Sequence, residues 1–198
     1  MATQEERTAA SLAKLMAAAR PLFRTQGYAQ TSVDDITRAA GLTKGAFYHH
    51  FADKKAIFHA VFEEGERQLQ ADIKAACAQL DPWSMLRSGC LAFLDLTLEP
   101  GTQRLLLREG PSVLGWDAWR NVCTRYSLGM ISRAIRAAMK AGQIRERPAE
   151  PVAAAIYGAL TETARYMAQL DEPAAALPAV RDEILLMLEA LRGQPRAA

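Results

Sequence analysis

Apolar residues Leu12, Leu15, Met16, Ala19, Leu22 and Phe23 recur at steps of three and four, with Lys14, Arg20 and Arg24 between them. This spacing predicts an amphipathic helix over about residues 8–26. Gly27 offers the left-handed conformation that closes it, and Pro21 is expected to kink or interrupt it. Ser32, with Asp35 three positions on, forms a capping-box pattern for a short helix from Val33 through Ile36 to Ala40, which Gly41 ends. Thr43 caps a further short helix, KGAFYHHF, and Asp53 caps a long one from Lys54 to about Leu80.

Asp81-Pro82 is a fresh start, a cap followed by proline in the first turn, for a helix to about Leu98. Short helical pattern follows over 103–109, then a loop through Pro111 and Gly115. A single helix is predicted from about Trp116 to Ala141, ending at Gly142. Pro148 and Pro151 open another, reaching about Leu170, and the last covers about Pro178 to Arg192 before a polar GQPRAA tail. No fixed-period repeat or low-complexity linker interrupts this order.

Composition narrows the class. Thirty-eight alanines against six valines weight the apolar half toward helix formers, so an all-α chain is expected. The 198 residues suffice for one domain or for a small domain plus a larger one. The longest stretch without Asp, Glu, Lys or Arg, Pro151 to Thr161, falls well short of the roughly 20 apolar residues of a membrane span. The amino-terminal residues lack the basic-then-apolar pattern of a secretory signal, so a cytoplasmic location and no membrane partner are expected. Cys77, Cys90 and Cys123 are isolated, without C-x-x-C spacing, and read as buried or free thiols rather than as a disulfide framework or a metal site.

The chemistry concentrates early. Phe47 and Phe51, four apart, can turn into a core with Leu42, Ile36 and Val33, leaving Lys44, Gly45, Tyr48 and His49 together on the opposite side. That side combines a flexible charge, a point of close backbone approach and two rings able to hydrogen-bond and stack, which suits a helix reading the major groove. Residues 1–55 hold eight basic against five acidic residues, and the remainder holds sixteen against seventeen. The slight basic excess thus sits where a phosphate backbone would favour it.

The block TSVDDITRAAGLTKGAFYHHFADKKAIF, Thr31 to Phe58, resembles the helix-turn-helix of the TetR family of transcriptional regulators, through its T-S, D-D-I-x-x-A-A-G-L, K-G-A-F-Y-H-H-F and D-K-K runs. The likeness is close over residues 8–62. Beyond them it rests on helix count and length and on EGPSVLGWDAWR. The resemblance implies a helix-turn-helix DNA-binding domain over 1–55 and a helical ligand-binding and dimerisation domain over 56–198. It implies that Lys44, Gly45, Tyr48 and His49 face base edges or phosphates of double-stranded DNA, and that Thr31, Ser32, His50 and Lys54 hold the backbone. Tyr48 and His50 could instead pack between helices.

The second half shows no catalytic set. The three histidines, His49, His50 and His59, all lie in the first third, and neither a Ser-His-Asp arrangement nor a glycine-rich phosphate loop is present. Neither an enzyme nor a cofactor is expected. Its large side chains, Trp83, Phe93, Leu96, Leu106, Trp116, Trp119, Tyr126, Met130, Tyr157 and Met167, are those that would line an effector cavity in a resembling regulator, or fill an ordinary core. Arg87, Arg120, Arg125 and Arg165 could serve an anionic ligand or make surface ion pairs. Val152, Ile156, Ala159, Leu160 and Ala164, with Val180, Ile184, Leu185, Leu188 and Leu191, form stripes on the last two helices that could build a four-helix interface in a homodimer. The expected function is a repressor that binds a palindromic operator and is released by a small hydrophobic or aromatic molecule. The alternatives are a DNA-binding regulator without such a ligand, and a helical carrier or enzyme with a vestigial motif.

Overall fold

The computed structural model describes residues 3–192, whose regular elements are all helices joined by turns and loops, with no strand among the described residues. The GQPRAA tail lies outside them. The chain forms two compact units, Met1–Gly65 with Pro100–Trp119, and Glu66–Glu99 with Arg120–Ala198. The unit that holds the helix-turn-helix therefore extends past residue 55 and takes in a segment that a linear division assigns to the second half.

In the first unit α1 (Gln4–Thr25) starts on a reciprocal capping box between Thr3 and Glu6 and runs unbroken through Pro21. Pro21 lies on the exposed side while Ala19 and Phe23 bury, so the ring meets solvent and core packing holds the helix together. α2 (Val33–Ala40) has the expected Ser32–Asp35 box and ends at Gly41, whose φ of 64° is left-handed. α3 (Lys44–His50) is capped by Thr43, and α4 (Lys54–Ala76) follows Asp53, whose carboxylate accepts from the Ala56 N–H. Phe23, Phe47, Phe58 and Phe62 are fully buried with Leu15, Ile36 and Ile57. The Phe23 and Phe58 rings meet edge to face at 5.1 Å.

The returning segment differs from expectation. After α5 (Pro82–Thr97), a three-residue turn α6 (Pro100–Thr102) leads into a π-helical stretch, Gln103–Glu109, and α7 (Gly110–Leu114) occupies what the sequence reads as loop. Leu105, Leu106 and Leu107 are all buried in succession, and Pro111 sits in the first turn of α7, where its missing N–H costs nothing. Phe62 packs directly against Gly110, leaving no room for a Cβ there.

The predicted single helix over 116–141 is two, α8 (Trp116–Arg125), whose first four residues belong to the first unit, and α9 (Ser127–Lys140) of the second, broken at Tyr126 with φ −104° and ψ −90°. Gly129 makes the break fit, because the Thr124 carbonyl occupies the place of a Cβ. α10 is Ala149–Met167, and α11 is Pro173–Glu189, starting earlier than expected with Pro178 inside it. Cys77, Cys90 and Cys123 are free and buried.

Candidate DNA-reading face and effector cavity

Within the first unit Phe47 is buried and Phe51 nearly so, while Lys44, Gly45, Tyr48 and His49 are exposed, Tyr48 at 56 %. The polar face of α3 thus presents the expected residues together. Lys44 reaches back to Asp34 on α2, Nζ to Oδ1 at 2.7 Å, in an exposed pair that a phosphate could replace at little cost. The Tyr48 ring rests edge-on against Phe47 at 5.3 Å, which fixes its base while its hydroxyl end faces outward.

The expected backbone-holding residues divide differently. Thr31 is 1 % exposed and its hydroxyl donates to the Gly27 carbonyl at 2.8 Å, so its side chain closes the turn that follows α1. Ser32 is exposed, but its hydroxyl is spent on Asp35 at 2.5 Å. Ser11 donates to the Thr8 carbonyl, which leaves its oxygen to accept from His50 Nε2 at 2.7 Å. His50 is thereby tied to α1. Lys54 donates to the Tyr28 carbonyl at 2.8 Å and lies 4.1 Å over the Tyr28 ring. The half-buried His50 and Lys54 thus brace the motif from within, each through a bond to a neighbouring element, and the remaining N–H donors of Lys54 stay available to a phosphate.

The second unit contains a cavity of about 450 Å³. It lies between the end of α4 (Ile73, Lys74, Cys77), α5 (Met85, Leu86, Gly89, Cys90, Phe93), α9 (Ser127, Met130, Ile131, Arg133, Ala134, Ala137) and Leu160 of α10. Of the expected lining residues, Phe93 and Met130 are there. Trp83, Tyr157 and Met167 are buried in the core of this unit, Leu96 and Tyr126 are half-buried, and none of these lines the cavity. Leu106, Trp116 and Trp119 belong to the first unit, Trp116 at 65 % exposure beside Trp119 with ring centres 5.0 Å apart. The reason is volumetric. Large side chains fill space, and a void survives where Cys77, Gly89, Cys90, Ala134 and Ala137 meet on facing helices. That concentration of small residues was the available signal.

Behind Ser127 sits Glu66, 2 % exposed, taking the Ser127 hydroxyl at 2.5 Å. Cys123 makes a longer contact to its other oxygen at 4.0 Å. Burial pushes the Glu66 carboxyl up to about 7, against the lowering effect of Ser127. Burial also raises Cys123 to about 12, and raises Tyr157 well above its usual range.

The residues of the expected interface stripes differ in burial within the single chain. Leu160, Ala164 and Leu188 are at most 1 % exposed in the single chain, and Ile156, Val180 and Ile184 are buried, so these six form the protomer's own core. Val152, Ala159, Leu185 and Leu191 are half-buried. The outward face of α10 instead carries Ala155, Gly158, Glu162 and Tyr166, and that of α11 carries Leu186 and Met187, at 65 % and 52 % exposure. The helical period explains the shift, because adjacent stripes on a strongly apolar helix are indistinguishable until a neighbour covers one of them.

Residues 15–61 match a family model described as bacterial regulatory proteins, tetR family, and residues 83–191 match one described as tetracyclin repressor-like, C-terminal domain. The chain is 28 % identical over 142 residues to the Transposon Tn10 TetC protein of Escherichia coli, covering 72 % of each chain. It is 34 % identical over 113 residues to the transcriptional regulator AcrR of Shigella flexneri, covering 52 % of each. A crystal structure of a TetR-family regulator from Pectobacterium atrosepticum superposes with a TM-score of 0.82 at 34 % identity, over 98 % of this chain and 100 % of that one. With the exposed face of α3 set on a helix-turn-helix and helical matches on both sides, the chain belongs to the TetR family of helix-turn-helix transcriptional regulators.

Proposed function

We propose that this protein is a homodimeric repressor that binds a palindromic operator through α3 and leaves it when a small molecule fills the cavity of the second unit. The observation that carries the reading is the separation of roles on α3: Phe47 is buried while Lys44, Gly45, Tyr48 and His49 are exposed on one face. At the start of α2 the capping box engages the Ser32 and Asp35 N–H groups, so the N–H groups of Val33 and Asp34 are the ones proposed to support a phosphate. Reading a duplex with two such helices requires half-sites about 34–36 Å apart or a multiple of it, hence a dimer and a two-fold symmetric operator. The exposed faces of α10 and α11 with Tyr166, Leu186 and Met187 are the surfaces proposed to pair. Release follows if the ligand favours a conformer whose α3 spacing misses the half-sites, through a coupling of typically about 1–3 kcal/mol. α4, whose residues belong to both compact units, is the proposed lever.

The test is selection of sites from random duplex DNA by the purified protein at two salt concentrations. The expected result is an enriched palindrome whose affinity falls steeply with salt. No enrichment at either salt would overturn operator binding by the ligand-free protein.

A further inference from the structure

The cavity has two chemically different ends. Lys74 and Arg133 line it and are exposed, together with Met85 and Ala137, so the mouth is at their end. Lys74 bonds Gln70, and neither cation makes an ion pair among the described residues. At the buried end stands Ser127, 1 % exposed, the one lining side chain there that is polar. Its proton goes to Glu66, so its oxygen has lone pairs free to accept a hydrogen bond from the cavity side. Glu66 also marks that end as hostile to an anion, since the dryness that drives its own carboxyl toward the neutral form opposes a second buried carboxylate, and the two repel whenever Glu66 is ionised.

Resting on the effector-cavity reading, we propose that the ligand is an apolar carboxylate with a hydroxyl at its far end. Its acid group lies at the mouth against Lys74 and Arg133, its apolar body fills the cavity, and its hydroxyl donates to Ser127. Ser127 and Arg133 are six positions apart on α9, so their backbone positions are separated by about 9 Å along the helix axis at 1.5 Å per residue, which sets the scale of the ligand. A hydroxyphenyl ring on a short alkanoate chain has this length. Glu66 is a positioning residue. It fixes which way the Ser127 proton points and so decides that the inner end takes a donor and refuses an acid. A site that holds a buried hydrogen-bonding group rejects the analogue lacking its partner far better than an apolar wall rejects an extra methylene.

The test uses the full chain and four probes, 3-(4-hydroxyphenyl)propionate, 3-phenylpropionate, tyramine and 4-ethylphenol, with dissociation constants from titration calorimetry. The hydroxylated acid is expected to bind about tenfold more tightly than 3-phenylpropionate and than tyramine. Lys74→Ala with Arg133→Ala, both at the surface, should weaken both acids about tenfold and leave 4-ethylphenol unchanged. Ser127→Ala should abolish the advantage of the hydroxyl; Glu66→Gln should let 3-phenylpropionate gain on the hydroxylated acid. Tyramine binding as tightly as the acid, or a hydroxyl advantage that survives Ser127→Ala, overturns the proposal. If 4-ethylphenol binds without either discrimination, the cavity reading stands and this inference fails; if none of the four binds, both fail.

Discussion

The Glu109 carboxylate accepts the backbone N–H of Tyr28 at 2.9 Å, joining the π-helical segment to the turn that leaves α1. Arg104, from the same segment, donates to the carbonyls of Arg24 and Thr25. Arg104 thereby satisfies carbonyls that the end of α1 leaves unpaired, and its guanidinium suits the negative end of the α1 dipole. Gly27, at φ +85°, lies against the same carboxylate, so the turn has little freedom to move away. Glu109→Ala should cost about 1–3 kcal/mol in urea unfolding, since it orphans a partly buried N–H. Operator affinity should fall with it, because this turn positions α2 and α3. An unchanged unfolding midpoint would exclude this role.

Tyr48→Ala should weaken operator binding at least tenfold in anisotropy titrations and leave the oligomeric state unchanged in light scattering. His50→Ala should behave oppositely. It removes the bond to Ser11 and lowers stability by about 1 kcal/mol, with the sequence preference of the bound site unaltered.

Glu66 makes stability depend on pH. Its folded value of about 7 lies above its ordinary 4.5, so the fold prefers the protonated carboxyl. The contribution is fully present below about pH 4.5 and is lost as pH rises through about 7, an amount on the order of 3 kcal/mol at 1.36 kcal/mol per unit. Cys123 and Tyr157 stay protonated over this range and do not mask it. Unfolding free energies of the wild type minus those of Glu66→Gln should therefore decline between pH 4.5 and 7 and then level off. A flat difference would place the carboxyl in contact with water.

Ala134→Leu should fill part of the cavity. Thermal stability is expected to hold or rise by a few degrees while operator binding persists and release by any effector weakens. Trp119→Ala, a change in the first unit, should lower stability without altering the cavity.

Leu186→Glu on the exposed face of α11 should convert the protein to monomers in sedimentation and abolish operator binding, with helix content unchanged by circular dichroism. Leu188→Glu should instead unfold the second unit, because that side chain is 1 % exposed within one chain.

Local chemistry in the sequence determined much of this protein. The Ser32–Asp35 box, Gly41, the Thr43 cap and the Asp81-Pro82 start act over a few residues, so their helices could be read from spacing. The same holds for the polar face of α3, since Phe47 and Phe51 name the core side and the helical period assigns the rest. Long-range packing decided what remained. That Thr31, His50 and Lys54 bond within their own fold depended on Gly27, Ser11 and Tyr28, which only folding brings within hydrogen-bond reach. Which apolar stripe of α10 and α11 turned inward depended on which neighbour covered it. The cavity was least legible of all. A void is defined by atoms that are absent, so it follows from how small residues on several helices meet, and no single helix carries its pattern.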